Sequence, residues 1–216
     1  AIDDGANYQA HANINVEDIL FYKNRFRLAG NLDWRHQGDG YEQYRPIYYF
    51  DLFGYGYTLN TSYSRYRQKG ILVQQGVLID VYTRDWRNLL QIAPVGFPTL
   101  SLLYSRIRTY NNEPWQVNDQ LQRTTIAQSS FSRQLYSLRG VHQRVRTDDY
   151  GLGRDNDLVR TSSGSVSVTS PYSRIGSIST TYNYFDSRRT LAGAAISKGH
   201  TNSISVMASS VAIKRI

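Results

Sequence analysis

The sequence predicts an all-β protein of about twelve long antiparallel strands, with residues 1–216 forming a single domain. Apolar and polar residues alternate with period two along much of the chain, as expected because successive side chains of a strand point to opposite faces of its sheet. Aromatic residues make up 13% of the chain and Pro only 5 positions, which favours strands over disorder. Helical periodicity is hard to find.

The clearest alternation covers residues 26–36 and predicts a strand with one apolar face. That face carries Phe26, Leu28, Gly30, Leu32 and Trp34. The opposite face is largely polar and carries Arg27, Ala29, Asn31, Asp33 and Arg35.

Similar patterns recur along the chain and predict further strands. The predicted strands cover residues 7–18, 25–36, 43–51, 55–66, 71–83, 99–109, 121–131, 135–146, 158–168, 174–184, 190–197 and 202–213. Many of them exceed the usual strand of about 5–6 residues. Lengths of about 9–11 residues and more suit tilted strands that cross a membrane.

The connections between these strands alternate in character. Every other connection is polar and longer, at residues 37–40, 67–70, 110–120, 147–157 and 185–189. The intervening ones are tighter, at residues 52–54, 132–134 and 169–173, although residues 84–98 break the rule. Long loops on one side and short turns on the other are typical of outer-membrane barrels.

The composition of the chain argues against several classes of function. The formal net charge is +8 and comes mostly from Arg, which raises nucleic-acid binding as a hypothesis. The Arg residues are scattered along strands and not gathered into a tail, so we expect no nucleic-acid partner. Cys is absent, which excludes thiolate metal sites. No apolar stretch is long enough for a transmembrane helix.

The sequence predicts no catalytic site and no cofactor. No Gly-x-Ser-x-Gly segment is present, and the four His residues lack partners at metal-ligand spacing. One polar segment carries carboxylates that suit Ca²⁺, namely Asp148, Asp149, Asp155 and Asp157. Their spacing differs from an EF-hand loop, and a solvated loop is the simpler interpretation.

Charged and amide residues on polar strand faces predict a charged interior if the sheet closes. The candidates for lumen-facing residues are Arg27, Asp33, Arg35, Asn60 and Asp80. In a pore such residues tune ion selectivity. Alternatively, Arg–carboxylate pairs fill a closed interior.

The segments 26–35 and 99–106 resemble those of Gram-negative outer-membrane β-barrels as a class. The resemblance covers nearly the whole chain and implies an antiparallel up-and-down transmembrane barrel in a bacterial outer membrane, with the lipid bilayer as its partner. Barrels of this class commonly end on a strand with a terminal aromatic residue. This chain ends at Ile216, so a partial stretch of a larger barrel, completed by further strands, stands as an equal alternative to a whole barrel.

Three functions follow as hypotheses. The first is a porin-like pore or conduit for passive transport. The second is a structural barrel that encloses or anchors a partner protein such as a cytochrome. The third is a soluble secreted β-protein that binds glycans or surfaces.

Overall fold

A computed structural model describes residues 8–21, 24–37, 41–72, 77–111, 119–133, 136–151, 157–173 and 176–210. These residues form eleven long strands. The strands are β1 (Tyr8–Phe21), β2 (Asn24–Gln37), β3 (Tyr41–Gly54), β4 (Tyr57–Leu72), β5 (Val77–Ile92), β6 (Thr99–Asn111), β7 (Asp119–Arg133), β8 (Tyr136–Asp149), β9 (Asp157–Ser173), β10 (Gly176–Leu191) and β11 (Ala194–Ser210).

All eleven strands belong to one sheet in sequence order, and each pairs antiparallel with its neighbours in the chain. The prediction of an all-β, up-and-down antiparallel fold is therefore confirmed. Within the described residues β1 pairs only with β2, and β11 only with β10. None of the described residues forms a helix of the length and apolarity needed to cross a membrane.

The sheet has two ends, defined by the connections between strands. At the loop end β2, β4, β6, β8 and β10 finish and β3, β5, β7, β9 and β11 begin, and at the turn end β1, β3, β5, β7 and β9 finish and β2, β4, β6, β8 and β10 begin. Longer connections still prevail at the loop end, with 93–98 as the long exception at the turn end. Both β1 and β11 run from the loop end to the turn end.

The predicted count of about twelve strands is wrong for the last third of the chain. Residues 185–189, predicted as a loop, lie inside β10 and pair with both β9 and β11. The two predicted strands after it, 190–197 and 202–213, overlap a single strand, β11 (Ala194–Ser210), while residues 190–191 still belong to β10 and residues 211–213 lie outside the described ranges. The turn falls at Ala192 and Gly193, whose φ angles of 48° and 82° permit a two-residue hairpin connection.

Two boundaries near the middle of the chain also differ from prediction. The predicted strand 71–83 spans the connection between β4 and β5, and the predicted loop 67–70 lies inside β4. The predicted long connection 84–98 shortens to residues 93–98, because β5 continues to Ile92. The polar loop-end part of β4 and the charged stretch from Arg84 to Arg87 within β5 explain these errors, since both sequences look like loops.

The register assigns every paired residue to one of two faces, because residues directly opposite in an antiparallel pair point to the same side. The face that carries Phe26, Leu28 and Trp34 is called the apolar face. The face that carries Arg27 and Asp33 is called the polar face. Between bulges, the register extends these two faces across all eleven strands.

The sheet is a single layer whose apolar face is uncovered in the described part of the chain. There, only Tyr82 and Leu121 are buried hydrophobic residues. By contrast, Ile14, Ile204 and Val206 on the apolar face are 69%, 72% and 65% exposed. A single sheet normally buries its apolar face against another layer, so this face requires a covering that the described residues do not supply.

Gly164 of β9 permits a close contact on the apolar face. The Tyr184 ring lies over it, and His142 Nδ1 meets the Tyr184 hydroxyl across β9. A Cβ atom at position 164 would lie 2.4 Å from Tyr184 Cε1 and 2.8 Å from the Val141 carbonyl oxygen. Gly164→Ala is expected to lower the free energy of unfolding, measured by urea titration in detergent, by about 1–3 kcal/mol.

Gly140→Ala on the adjacent strand is the matched control for this substitution. Its Cβ atom would meet only the flexible Ser129 hydroxyl, at 3.2 Å. We expect a clearly smaller loss than for Gly164→Ala. Equal losses for the two variants would contradict the steric explanation.

Candidate functional site

The polar face carries a three-residue cluster near the turn end of β2, β3 and β4. Arg27 Nε donates to Asp51 Oδ2 at 2.8 Å, and Asn60 Nδ2 donates to Asp51 Oδ1 at 2.8 Å. Asp51 is only 4% exposed. The carboxylate is thus held by a cation on one side and an amide on the other, which suits a buried charge.

Four of the five predicted lumen-facing residues share the polar face. Arg27 and Asn60 meet at Asp51, whereas Asp33 lies 2.7 Å from His11 Nδ1. Arg35 is exposed and lies opposite Gln9 and Gln43.

The fifth predicted lumen residue, Asp80, lies on the apolar face. It stands opposite Lys69, whose row also contains Glu42. The five residues therefore cannot face one compartment together. The alternation that included Asp80 began at Ile71, on the far side of the connection between β4 and β5, so its phase does not apply to β5.

The predicted Ca²⁺ segment is divided between the two faces. Asp148 lies on the apolar face and accepts two hydrogen bonds from Arg146 Nε, both at 3.0 Å. Asp149 and Asp157 lie on the polar face, where Asp157 accepts from Arg189 Nε at 3.0 Å. Asp155 lies outside the described residues. Among the described residues, no group of three or more His, Asp or Glu side chains is placed to hold a metal ion.

A dense network of Arg, Asp and Tyr side chains covers the loop end of the apolar face on β4 and β5. Arg67 donates to both oxygens of Asp80 at 3.1 Å, and the Tyr82 hydroxyl donates to Asp80 at 3.2 Å. The Arg65 and Arg67 guanidinium carbons lie 5.5 and 5.2 Å from the Tyr82 ring centre. Asp80 and Tyr82 are consequently among the few buried residues.

The same arrangement repeats on β6 and β7. Arg108 donates to Asp119 at 2.9 and 2.8 Å and lies 5.2 Å from the Tyr110 ring centre. The Tyr110 ring stacks on Tyr82 at 5.1 Å, which joins the two halves of the network. Bidentate Arg–carboxylate pairs hold a defined geometry, so this end of the face is polar but ordered.

Six cations on the apolar face form one continuous register row, called the cation row. Each member lies directly opposite the next across adjacent strands, from β6 to β11. The row consists of Arg106, Arg123, Arg146, Arg160, Arg188 and Lys198. Like charges placed directly opposite one another destabilise a sheet, so this row has a stability cost unless anions compensate it.

Carboxylates compensate the cation row only in part. Asp148 lies 2.9 Å from Arg146 and 3.9 Å from Arg123. Arg160 and Arg188 form no ion pair with any described residue. Arg160 Nε is buried and has no hydrogen-bond partner among the described residues.

Two adjoining cavities open beside this part of the row. Arg160 and Arg188 line one of about 210 Å³, together with Leu158 and Thr190. Arg146 lines the other, of about 330 Å³, which shares Leu158 and Thr190. The uncompensated cations therefore border concave surface and not flat sheet.

The cation row was not predicted from the sequence. The only sequence signal is that each strand from β6 to β10 contains Arg in the half nearer the loop end. The alignment of these residues depends on the register of five strand pairs, which the sequence alone does not provide.

Four aromatic residues on the apolar face, Trp34, Tyr63, Tyr104 and Tyr184, lie successively nearer the turn end, whereas Tyr44, Tyr82 and Tyr110 stay in the row of Trp34. The line through the first four is called the aromatic line. Trp34 on β2 shares its register row with Arg67 of β4, whereas Tyr184 on β10 shares its row with Leu59 of β4. The line therefore moves eight residues towards the turn end over eight strands. Tyr63 and Tyr104 lie between these limits.

Comparisons with known proteins returned no match: no family model, no curated protein and no solved structure corresponds to the chain.

Proposed function

We propose that the chain forms the wall of an outer-membrane-type β-barrel in a bacterial outer membrane and that this barrel acts as a passive pore or conduit. In this proposal the apolar face contacts lipid and the polar face lines the lumen. Further strands complete the closed sheet. The observation that carries the proposal is the uncovered apolar face of a single sheet.

The chemistry of the apolar face supports a lipid contact. Leu52, Leu59, Leu90 and Leu102 form an unbroken register row across β3 to β6. Apolar residues near the turn end continue to β11, where Ile204 and Val206 are exposed. A soluble protein rarely exposes apolar surface on this scale, because it promotes association.

The slope of the aromatic line supports a tilted barrel wall. One residue per strand, with a rise of about 3.4 Å and a strand spacing of about 4.8 Å, corresponds to a tilt of about 35°. Membrane barrel strands tilt by about 35–45°, and aromatic residues mark the membrane–water interface. Aromatic residues at one depth in the membrane would meet each successive tilted strand about one residue further along, as the aromatic line does.

The polar face supports an aqueous lumen. On β4 it carries Thr58, Asn60, Ser62 and Ser64, and on β9 to β11 it is dominated by Ser and Thr. Its cations and carboxylates nearly balance among the paired residues. These small polar residues are compatible with water and solutes, whereas on β5 and β6 the same face also carries Leu89, Leu103 and Ile107.

Planar bilayer recording tests the proposal. The native protein, extracted and purified in detergent, is expected to insert and produce stepwise conductance, because a polar lumen conducts ions. Its apolar face should also require detergent or lipid for a monodisperse state in solution.

A chain that stays monodisperse in plain buffer and never inserts into bilayers would contradict the proposal. That result would favour the soluble, surface-binding alternative. Stable insertion without conductance would contradict the pore but retain the barrel.

A second candidate, a barrel that encloses a partner protein, is favoured by the short side chains on the polar face of β9 to β11. There Ser163, Ser165 and Ser167 lie opposite Phe185, Asn183 and Thr181, so little side-chain volume projects from β9. Native protein that purifies with a second polypeptide, released only when the barrel unfolds, would favour this candidate over a free pore.

A further inference from the structure

We propose that Arg146, Arg160 and Arg188 bind the phosphate group of an anionic lipid at the outer rim of the apolar face. This inference rests on the proposed function, because it places the apolar face against lipid. It adds a ligand class and a site to that function.

The position of the three arginines suits a lipid headgroup. Arg188 lies four residues beyond Tyr184 towards the loop end, and Arg146 lies four residues beyond His142 in the same row as Tyr184. Four residues correspond to about 13 Å along a strand. Because the strands tilt by about 35°, the same separation is about 11 Å along the membrane normal. This places the guanidinium groups just outside the hydrocarbon, where a long Arg side chain reaches the headgroup layer.

The charge balance requires an anion. Arg160 and Arg188 lie directly opposite each other, and neither forms an ion pair with a described residue. Of the three arginines, Asp148 forms an ion pair only with Arg146, and it also lies 3.9 Å from Arg123. A phosphate bridging these guanidinium groups would relieve their repulsion and accept a hydrogen bond from Arg160 Nε, which has no partner among the described residues.

The shape of the surface provides room for the phosphate. The cavity of about 210 Å³ between Arg160 and Arg188 adjoins the cavity beside Arg146. Leu158 contributes an apolar wall to both. Below the row, Val166 and Val168 continue β9 towards the turn end and are 48% and 46% exposed, which suits an acyl chain. Free phosphate would use the cations but not these valines.

The test compares lipid binding by the detergent-solubilised full chain, measured by native mass spectrometry with phosphatidic acid and with zwitterionic phosphatidylcholine. The triple variant Arg146→Gln, Arg160→Gln, Arg188→Gln is expected to lose about a hundredfold in affinity for phosphatidic acid, since each cation near an anionic surface contributes about a factor of five. The matched control is Arg25→Gln, Arg45→Gln, Arg139→Gln on the polar face, which should bind as the unmodified chain does.

Three further single variants separate a loss of lipid binding from misfolding. Arg160→Gln and Arg188→Gln alone should each lose about fivefold. Arg160→Lys retains the charge but loses the planar guanidinium fork, so it should bind more weakly than the unmodified chain and more tightly than Arg160→Gln.

Equal phosphatidic acid binding by the triple variant and the unmodified chain would overturn the proposal. Displacement of phosphatidic acid by inorganic phosphate at equal concentration would also overturn it, because the ligand would then be the free anion. A protein that inserts into bilayers yet binds both lipids equally would contradict only this inference. A protein that never inserts would contradict the proposed function itself.

Discussion

Leu90→Arg is expected to make folding into a bilayer less favourable by about 2–4 kcal/mol, the cost of Arg on the lipid face near the membrane midplane. Leu90 lies on the apolar face between Leu59 and Leu102 in the leucine row. An Arg side chain there has no polar partner within that row and must lose hydration. Urea titration of the protein in lipid vesicles, followed by Trp fluorescence, measures the effect.

The neighbouring residue provides the matched control. Leu89 points to the polar face, opposite Asn60 and Leu103, and Asn60 contacts Asp51. Leu89→Arg should therefore cost only about 1 kcal/mol, because the new cation faces polar groups and water. If Leu89→Arg cost as much as Leu90→Arg or more, the assignment of the apolar face to lipid would be contradicted.

Arg35→Glu combined with Arg45→Glu is expected to shift the pore from weak anion preference or near neutrality to clear cation preference. Both residues are exposed on the polar face near the loop end. The reversal replaces two cations by two anions on a face whose charges nearly balance. Lumen charges act strongly on permeating ions because the pore concentrates their field. The reversal potential under a salt gradient in a planar bilayer measures the shift.

Arg84→Glu combined with Arg144→Glu reverses the same number of charges on the apolar face. This control should leave the reversal potential almost unchanged, because its charges lie outside the lumen and are screened by salt. A larger shift for the control than for the polar-face variant would assign the lumen to the opposite face.

Within a single strand, the sequence correctly predicted which residues share a face of the sheet. Residues 26–36 alternate without interruption, and the register confirms that Phe26, Leu28 and Trp34 share a face. Local alternation is sufficient there because a strand's side-chain period is two, whatever its partners are. The same reasoning correctly grouped Ile178, Thr180 and Tyr182 on β10.

The sequence could not locate turns at the loop end, and the errors about Asp80 and residues 185–189 follow from this. Strands there extend past the apolar band with polar residues on both faces, so Asp186 and Arg188 look like a loop. Their strand conformation depends on pairing with β9 and β11. The cation row could not be predicted for the same reason. Arg106 and Arg188 fall in one row only because of the register between paired strands, which the local sequence pattern does not contain.

The equal direction of β1 and β11 restricts what can close this sheet. Every pair in the described sheet is antiparallel, whereas joining β11 directly to β1 would create a parallel seam. Antiparallel closure needs an odd number of additional strands at that seam, supplied by residues outside the described ranges or by another polypeptide. A second copy of the sheet in the same orientation adds eleven strands but would meet the first at two parallel seams. In a fully antiparallel barrel, the strands added next to β1 and next to β11 would therefore both run from the turn end to the loop end, opposite to these two edges.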